Sequence, residues 1–461
     1  MCDAAFMDWT DPSTGLAATT PEQPHDDAEV ERRLAAATSA WGRWRMEPPA
    51  SRGALLERIA TELESRREAL ANTMAREMGK PVAQGALEVD KCARVCRFYA
   101  EEGAAMLEPT ALDHPEFGAI LRYDPLGCVL GVMPWNFPLW QVFRFAAPTL
   151  MAGNVVMVKH APCVPGCARA IETLFEEVGA PRGLYTNLFI PVSKVHGLLA
   201  DPRVAAVSLT GSTRAGRAVA GTAGANLKKC VLELGGSDPT VVLPGVDLSH
   251  AARTIVASRL ANAGQSCIAA KRVLAAASLH DDLVDKIAVE MEAWTPQDPK
   301  DSASTMGPMA RVDLRDEVAR QVEASVTQGA VCVRGGRVPE RAGAWYPPTL
   351  LTHVRPGMPA FDEEVFGPVV SVTSVPTYAE ALTLANATSF GLGACLLGGG
   401  AEERQHFAEQ VHAGACFVGG FVRSDPRLPF GGVKASGYGR ELGRAGILEF
   451  VNHKTVCVIS R

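Results

Sequence analysis

The chain has 461 residues, 47% hydrophobic and 21% charged, a balance that excludes a disordered or fibrous protein. At this length one hydrophobic core does not suffice, so two or three structural units are expected. The net charge of −6 is spread along the chain without basic runs, which leaves no electrostatic footprint for nucleic acid or a membrane surface and points to a small-molecule partner.

The twelve cysteines follow no regular framework, and Met1–Thr20 carries acids but no basic segment followed by an apolar one. Reduced thiols and a cytoplasmic setting are therefore expected. Thr10–Asp27 is a turn-like mixture. From Glu29 to about Leu107 the apolar residues recur at helical spacing, as in Leu55, Ile59 and Leu63 beside Glu57, Arg58 and Glu62. After Pro109 the pattern shifts to short β-branched runs, and strands are predicted at Ala119–Arg122, Val129–Met133 and Val155–Lys159. The uncharged stretch Pro125–Phe143 contains Pro134, Asn136, Pro138 and Gln141, so it reads as buried core rather than a membrane span. A helix over Cys167–Val178, a strand at Val204–Leu209, a helix beginning at Thr213–Ala220 and strands at Val231–Leu234 and Thr240–Leu243 alternate in the manner of a parallel α/β sheet. A second strand and helix series runs from Ser249 to about Arg423. The tail, Phe450–Ile459, is a β-rich strip suited to pairing with another chain.

Among residues able to carry chemistry, the pairs Cys92/Cys96 and Cys163/Cys167 lack a second pair of ligands, and no metal is expected. Cys267 follows Asn262-Ala263-Gly264-Gln265-Ser266, where small and polar residues let backbone approach a bound group; locally it fits a working thiol or a packed one. Asn136, between Pro134 and Pro138, fits an amide held rigidly at a developing oxyanion, or a turn asparagine. Glu233 lies in an apolar run ending in Gly235-Gly236; burial there would raise its pKa for general-base work, while the alternative is a surface acid at a strand end. Gly211-Ser212 joins a strand to a helix whose first amides can meet a phosphate. No Gly-x-Gly-x-x-Gly follows any predicted strand.

Taken together, Pro134–Pro138, Thr210–Ser212, Glu233–Gly236, Gly264–Cys267, Glu364–Pro368 and Pro429–Lys434 resemble the aldehyde dehydrogenase superfamily, in order from about Ala28 to the end. The resemblance implies an α/β fold with a Rossmann-variant cofactor domain (1–109 and 127–235), an α/β catalytic domain (236–440) and a small β oligomerisation element (110–126 and 441–461). It implies a homodimer or homotetramer, with NAD or NADP as cofactor. Carried over residue by residue, it makes Cys267 the nucleophile, Asn136 with the Cys267 N–H the oxyanion donors, and Glu233 the activator of the hydrolytic water. On the cofactor side, it assigns Lys159 to the adenosine ribose, Gly211 and Ser212 to the pyrophosphate, Glu364 to the nicotinamide ribose, and Trp135 and Phe366 to the walls. Pro162 stands three residues after Lys159, where NAD-preferring members often carry glutamate, so a 2′-phosphate meets no like charge there. A cysteine hydrolase needs Cys267 and Asn136 but none of the cofactor residues, which disfavours that class.

Within the superfamily, Pro138–Phe145 and Ser424–Pro429 look most like succinate-semialdehyde dehydrogenases, with glutarate semialdehyde, an aromatic aldehyde or a simple aliphatic aldehyde as the alternative substrates. Arg144, eight positions after Asn136, is expected to fork onto the substrate's far carboxylate, with Ser424, Arg423 or Arg427 assisting from the loop near the carboxyl end and Ser424 favoured; the bland reading is a helix arginine that is solvated or paired with an acid. A second arginine that some members place six residues before the nucleophile is Ala261 here. Ala269, two residues after Cys267, removes the redox-switch disulfide of some relatives.

Overall fold

The computed structural model describes residues 9–20, 22–114 and 118–459. The first eight residues of the expected cofactor domain, and 115–117 and 460–461 of the expected oligomerisation element, lie outside them. After a short antiparallel pair, Trp9–Thr10 with Ala17–Ala18, come four helices: α1 (Asp27–Trp44), α2 (Pro49–Ser65), α3 (Arg67–Met78) and α4 (Val82–Met106). The Asp26 side chain caps α1 by accepting from the Glu29 N–H. Leu55, Ile59 and Leu63 of α2 are buried while Glu57 and Arg58 are exposed, as the spacing requires. The long α4 packs along both α2 and α3.

Strands β1 (Thr110–Leu112) and β2 (Gly118–Pro125) follow, and then the chain enters the first sheet. Its elements are β3 (Cys128–Met133), α5 (Trp140–Met151), β4 (Val155–His160), α6 (Pro165–Glu177), β5 (Tyr185–Asn187), β6 (Val204–Thr210), α7 (Thr213–Ala225) and β7 (Lys229–Glu233). The strands are parallel, in the order β7-β6-β3-β4-β5. Every residue of α5 is buried, Arg144 and Gln141 included, which accounts for the uncharged stretch in the sequence. No helix among the described residues is long and apolar enough to cross a membrane.

The second sheet comes from β8 (Pro239–Val242), α8 (Leu248–Leu260), β9 (Arg272–Ala276), α9 (His280–Glu290), α10 (Val312–Thr327), β10 (Val331–Arg334), β11 (Thr349–Thr352), β12 (Val369–Val375), α11 (Tyr378–Asn386), β13 (Gly393–Leu397), α12 (Ala401–Gln410) and β14 (Ala415–Val418). Its order is β10-β11-β12-β9-β8-β13-β14, with only β10 antiparallel to its neighbour. Separate apolar clusters cover the two faces, one around Leu274 and Phe361, the other around Ile255 and Val273.

The chain then returns to the first sheet. Strand β15 (Gly437–Tyr438), expected within the second unit, pairs antiparallel with β7, placing Gly437 opposite Glu233. Glycine is required there: its φ is +111°, and a Cβ would lie 2.0 Å from the Leu232 carbonyl oxygen. Leu442, Ile447, Phe450 and Val451 join the first core. The last strand, β16 (Val451–Val458), pairs antiparallel with β2, which pairs with β1 on its other side, to make the separate strip predicted from the tail.

Candidate active site

Ligands of parallel α/β sheets gather at the carboxyl ends of the strands. Here β3 ends into Pro134–Pro138, β6 into Gly211-Ser212, and β7 at Glu233. These three ends face Cys267, Glu364 and Phe366 of the second unit across a cleft of about 260 Å³, which Trp135 and Asn136 also line. Residues scattered over the chain thus meet in one place. A larger hollow of about 390 Å³, lined by Arg32, Glu172 and Tyr185, holds none of the motif residues.

Cys267 is half-buried at the end of a loop in which Asn262, Ala263 and Gly264 all have positive φ (54°, 52° and 73°). Only Gly adopts this conformation without cost, so two of the three are strained and must be held by their surroundings. The Asn262 N–H donates to Gln84 Oε1, Gln265 Nε2 donates to the Asn262 carbonyl, and the Ala310 N–H donates to Gln265 Oε1. At Gly264 a Cβ would lie 2.2 Å from the Gly367 carbonyl oxygen. Beyond the loop, Lys271 Nζ donates to the carbonyls of Ser266 (2.9 Å) and Cys267 (2.6 Å). Among the described residues the Cys267 N–H has no acceptor. Burial pushes the Cys267 thiol up to about 11, and the nearby charges of Arg144 and Lys271 pull it back.

Asn136 is buried, and its backbone carbonyl accepts from Lys80 Nζ (2.9 Å) and Asn262 Nδ2 (2.8 Å). Its amide Nδ2 donates to the Gln265 carbonyl at 3.1 Å, which ties it to the loop that carries Cys267. Two potential oxyanion donors, the Asn136 amide and the Cys267 N–H, are thereby fixed to one frame.

Glu233 is 2% exposed, and neither carboxylate oxygen has a hydrogen-bond partner among the described residues. Its pKa is pushed well above the usual carboxylate range, first by burial and further by the neighbouring Glu441, while Arg144 opposes the rise. A carboxyl tuned upward beside a thiol is suited to general-base work.

The same cleft carries groups that fit a dinucleotide. Ser212 is the N-cap of α7, and the first turn of that thirteen-residue helix offers amides and a positive dipole end to a pyrophosphate. Glu364 Oε1 accepts from the Gly236 N–H (3.0 Å) and lies 3.3 Å from Lys271 Nζ, so its position is set. A Cβ at Gly235 would come within 2.2 Å of the other Glu364 oxygen. The rings of Trp135 and Phe366 meet edge to face at 5.9 Å. Lys159 is buried on β4 beside Val132, outside the lining of this cleft, and burial lowers its pKa to about 8. Among the described residues, no group of three or more His, Cys, Asp or Glu is arranged to hold a metal.

Comparison with known proteins matches the aldehyde dehydrogenase family model to residues 3–456. The chain belongs to the aldehyde dehydrogenase family. It is 45% identical to a probable succinate-semialdehyde dehydrogenase [NADP(+)] of Synechocystis over 97% of this chain and 98% of that protein. It is 44% identical to the Escherichia coli succinate semialdehyde dehydrogenase [NAD(P)+] Sad over 96% of each. The crystal structure of succinic semialdehyde dehydrogenase from Streptococcus pyogenes in complex with NADP+ superposes with a TM-score of 0.95 at 33% identity, covering 98% of this chain and 100% of that one.

For this aldehyde dehydrogenase, the substrate-side expectations need revision. Arg144, expected to present a free fork to substrate, is 2% exposed and ion-paired with the equally buried Glu441; it also donates to Thr210 Oγ1 (3.1 Å) and stacks on the Phe430 ring. A buried guanidinium requires a counter-charge, and the fold supplies one. Ser424 lies half-buried in the loop after β14, where its hydroxyl accepts from Lys91 Nζ. Arg427 forks outward onto Asp425. Sequence reasoning missed Lys271 and Glu441, which carry no local signal, and gave no role to Gln265, although it stands within the nucleophile motif.

Proposed function

We propose that this aldehyde dehydrogenase oxidises succinate semialdehyde to succinate with NADP or NAD. The observation that carries the reading is the meeting of Cys267, Asn136, Glu233, Ser212 and Glu364 around one cleft. Near-full-length relatives named for this aldehyde narrow the substrate class. With Pro162 after Lys159, nothing acidic at that position opposes a 2′-phosphate, which supports use of NADP as well as NAD.

In this mechanism the Cys267 thiolate attacks the aldehyde carbon to form a thiohemiacetal oxyanion, which the Asn136 amide and the Cys267 N–H stabilise. A nicotinamide dinucleotide, which Ser212, Glu364, Trp135 and Phe366 would hold, would supply the hydride acceptor for oxidation of the Cys267 adduct to a thioester. Glu233 then takes a proton from water, the resulting hydroxide adds to the acyl carbon, and collapse expels the Cys267 thiolate and releases the carboxylate. Lys271 holds both the nucleophile loop and Glu364, so the proposed nucleophile and the proposed ribose-binding acid share one anchor.

The proposed division of labour assigns the cofactor to the first sheet (1–109 and 127–235), the nucleophile to the second (236–440), and a homodimer or homotetramer interface to the strip of β1, β2 and β16. Exposed Ile120, Leu112 and Val458 on that strip support an interface. The enzyme is assigned to the cytoplasm. The test is reduction of NADP and NAD with succinate semialdehyde, butanal and benzaldehyde, for the parent and Cys267→Ala. A strong preference for the semialdehyde, abolished in the variant, is expected; equal turnover of all three aldehydes would overturn the substrate assignment.

A further inference from the structure

A second hollow, of about 310 Å³, lies behind the turn that carries Asn136. Phe137, Trp140, Leu87, Ala261 and Trp294 give it apolar walls, with Lys80, Glu88 and Lys91 among them. It shares no lining residue with the cleft of Cys267 and Glu364, but Asn136 lines that cleft while the next residue, Phe137, lines this hollow. Lys80 and Asn262, which line it, are also the two donors to the Asn136 carbonyl. An aldehyde held in this hollow by its far end would lie beside the turn that carries Asn136.

Two cations, Lys80 and Lys91, line this hollow and the charge of Arg144 acts on Lys91; two of the three are already neutralised. Lys80 is ion-paired with Glu88 and bonded to the Asn136 carbonyl. The other Glu88 oxygen is taken by the N–H groups of Leu139 and Trp140. Arg144 is committed to Glu441 and Thr210. Lys91 is different. Among the described residues no acid lies within ion-pair distance of it; its ammonium rests 4.1 Å from the Trp140 ring centroid and donates to Ser424 Oγ at 2.5 Å. Burial, and then the like charge of Arg144, lower its pKa to about 8, with Arg94 acting in the same sense and Glu88 opposing. A half-buried cation without a counter-ion, beside another cation, is a place where an arriving anion gains more than it would in water.

We infer that Lys91, clamped with Ser424, receives the far carboxylate of the aldehyde, in place of the arginine that position 261 lacks. The inference rests on the proposed oxidation of a carboxylated aldehyde. Because Ser424 accepts its hydrogen bond from Lys91, its own O–H remains free to donate, so ammonium and hydroxyl offer two donors to the two oxygens of one carboxylate. Ala261 keeps the hollow open between that clamp and the nucleophile loop. The ligand class is a short aldehyde carrying a terminal carboxylate.

The experiment compares matched pairs, succinate semialdehyde with butanal and glutarate semialdehyde with pentanal, for the parent, Lys91→Met and Lys91→Arg. In Lys91→Met the acid-to-neutral ratio of kcat/KM is expected to fall by about tenfold or more, through KM with kcat held, and Lys91→Arg to recover most of it. A ratio in Lys91→Met equal to the parent's, or an equal loss on both members of a pair, overturns the assignment. If the parent prefers glutarate to succinate semialdehyde and Lys91→Met erases that preference, the succinate reading falls while Lys91 stands. If the parent prefers succinate semialdehyde and Lys91→Met keeps the preference, Lys91 falls alone. A parent that favours neither acid over its neutral partner sinks both.

Discussion

On the second unit's wall of the cleft, Cys267 ends a loop whose backbone groups are tied down by Gln84, Gln265 and Lys271. On the first unit's wall, Glu233 ends a strand with both oxygens unbonded among the described residues, buried near the charges of Arg144 and Glu441. One wall is built for position and the other for proton affinity. A nucleophile gains from being held at the reacting carbon, since misplacement of a fraction of an ångström is costly. A base gains from a pKa raised toward the working pH, which hydrogen bonds to its charged form would undo. In the proposed mechanism the lack of partners for Glu233 among the described residues would serve the base as the bonds around Cys267 would serve the nucleophile.

The comparison breaks most visibly if the base is removed without changing its shape. Glu233→Gln is expected to lower steady-state turnover by about 10²- to 10⁴-fold while a single turnover of cofactor reduction survives, because thioester formation does not need the carboxylate. The pH dependence sharpens the reading. The active form of Glu233 is deprotonated and its pKa is raised, so thioester hydrolysis in the parent should rise with pH above the ordinary carboxylate range, and Glu233→Gln should flatten that rise. Stopped-flow traces that keep full multiple turnover in the variant would remove Glu233 from this step.

A second test targets the charges that set Glu233. Arg144→Leu leaves Glu441 buried without its cation, a change that costs about 3–5 kcal/mol for such pairs. Urea unfolding should show this as a lower midpoint, and the double variant Arg144→Leu/Glu441→Leu should recover most of the loss. A cost below about 1 kcal/mol in the single variant would mean that the pair is not the tightly desolvated one described.

The fate of Arg144 shows where the sequence stops being informative. An arginine inside an apolar helix is visible in the chain, and so is the need for a partner; that the partner is Glu441, brought back by the short strand β15 and the turn after it, is a property of the fold. The strand and helix alternation, the separate strip and the residues of the cleft were legible because each rests on a local pattern or a contiguous motif. Lys91 and Lys271 were not, since a lysine four residues past the nucleophile or midway along α4 carries no local mark; only packing against Ser424, Trp140 and Glu364 gives it meaning. Pairing of Gly437 with Glu233 likewise depends on a contact between segments far apart in the chain.

The smallest expected effect probes the wall that is built for position. Ala263 is held at φ 52°, a conformation that costs an L-residue about 1–2 kcal/mol. Ala263→Gly relieves that strain but gives the unfolded chain more freedom, worth about 0.4–1 kcal/mol in the opposite sense. The two contributions nearly cancel, so stability should shift by no more than about 1 kcal/mol. If hydrogen bonds from Gln84, Gln265 and Lys271 define the loop, kcat/KM should change by no more than a few-fold, since none of those donors or acceptors belongs to the Ala263 side chain. A loss of tenfold or more at unchanged stability would instead show that the restricted backbone of Ala263 itself keeps Cys267 in place, and that the strain, rather than the network around it, is what holds the nucleophile.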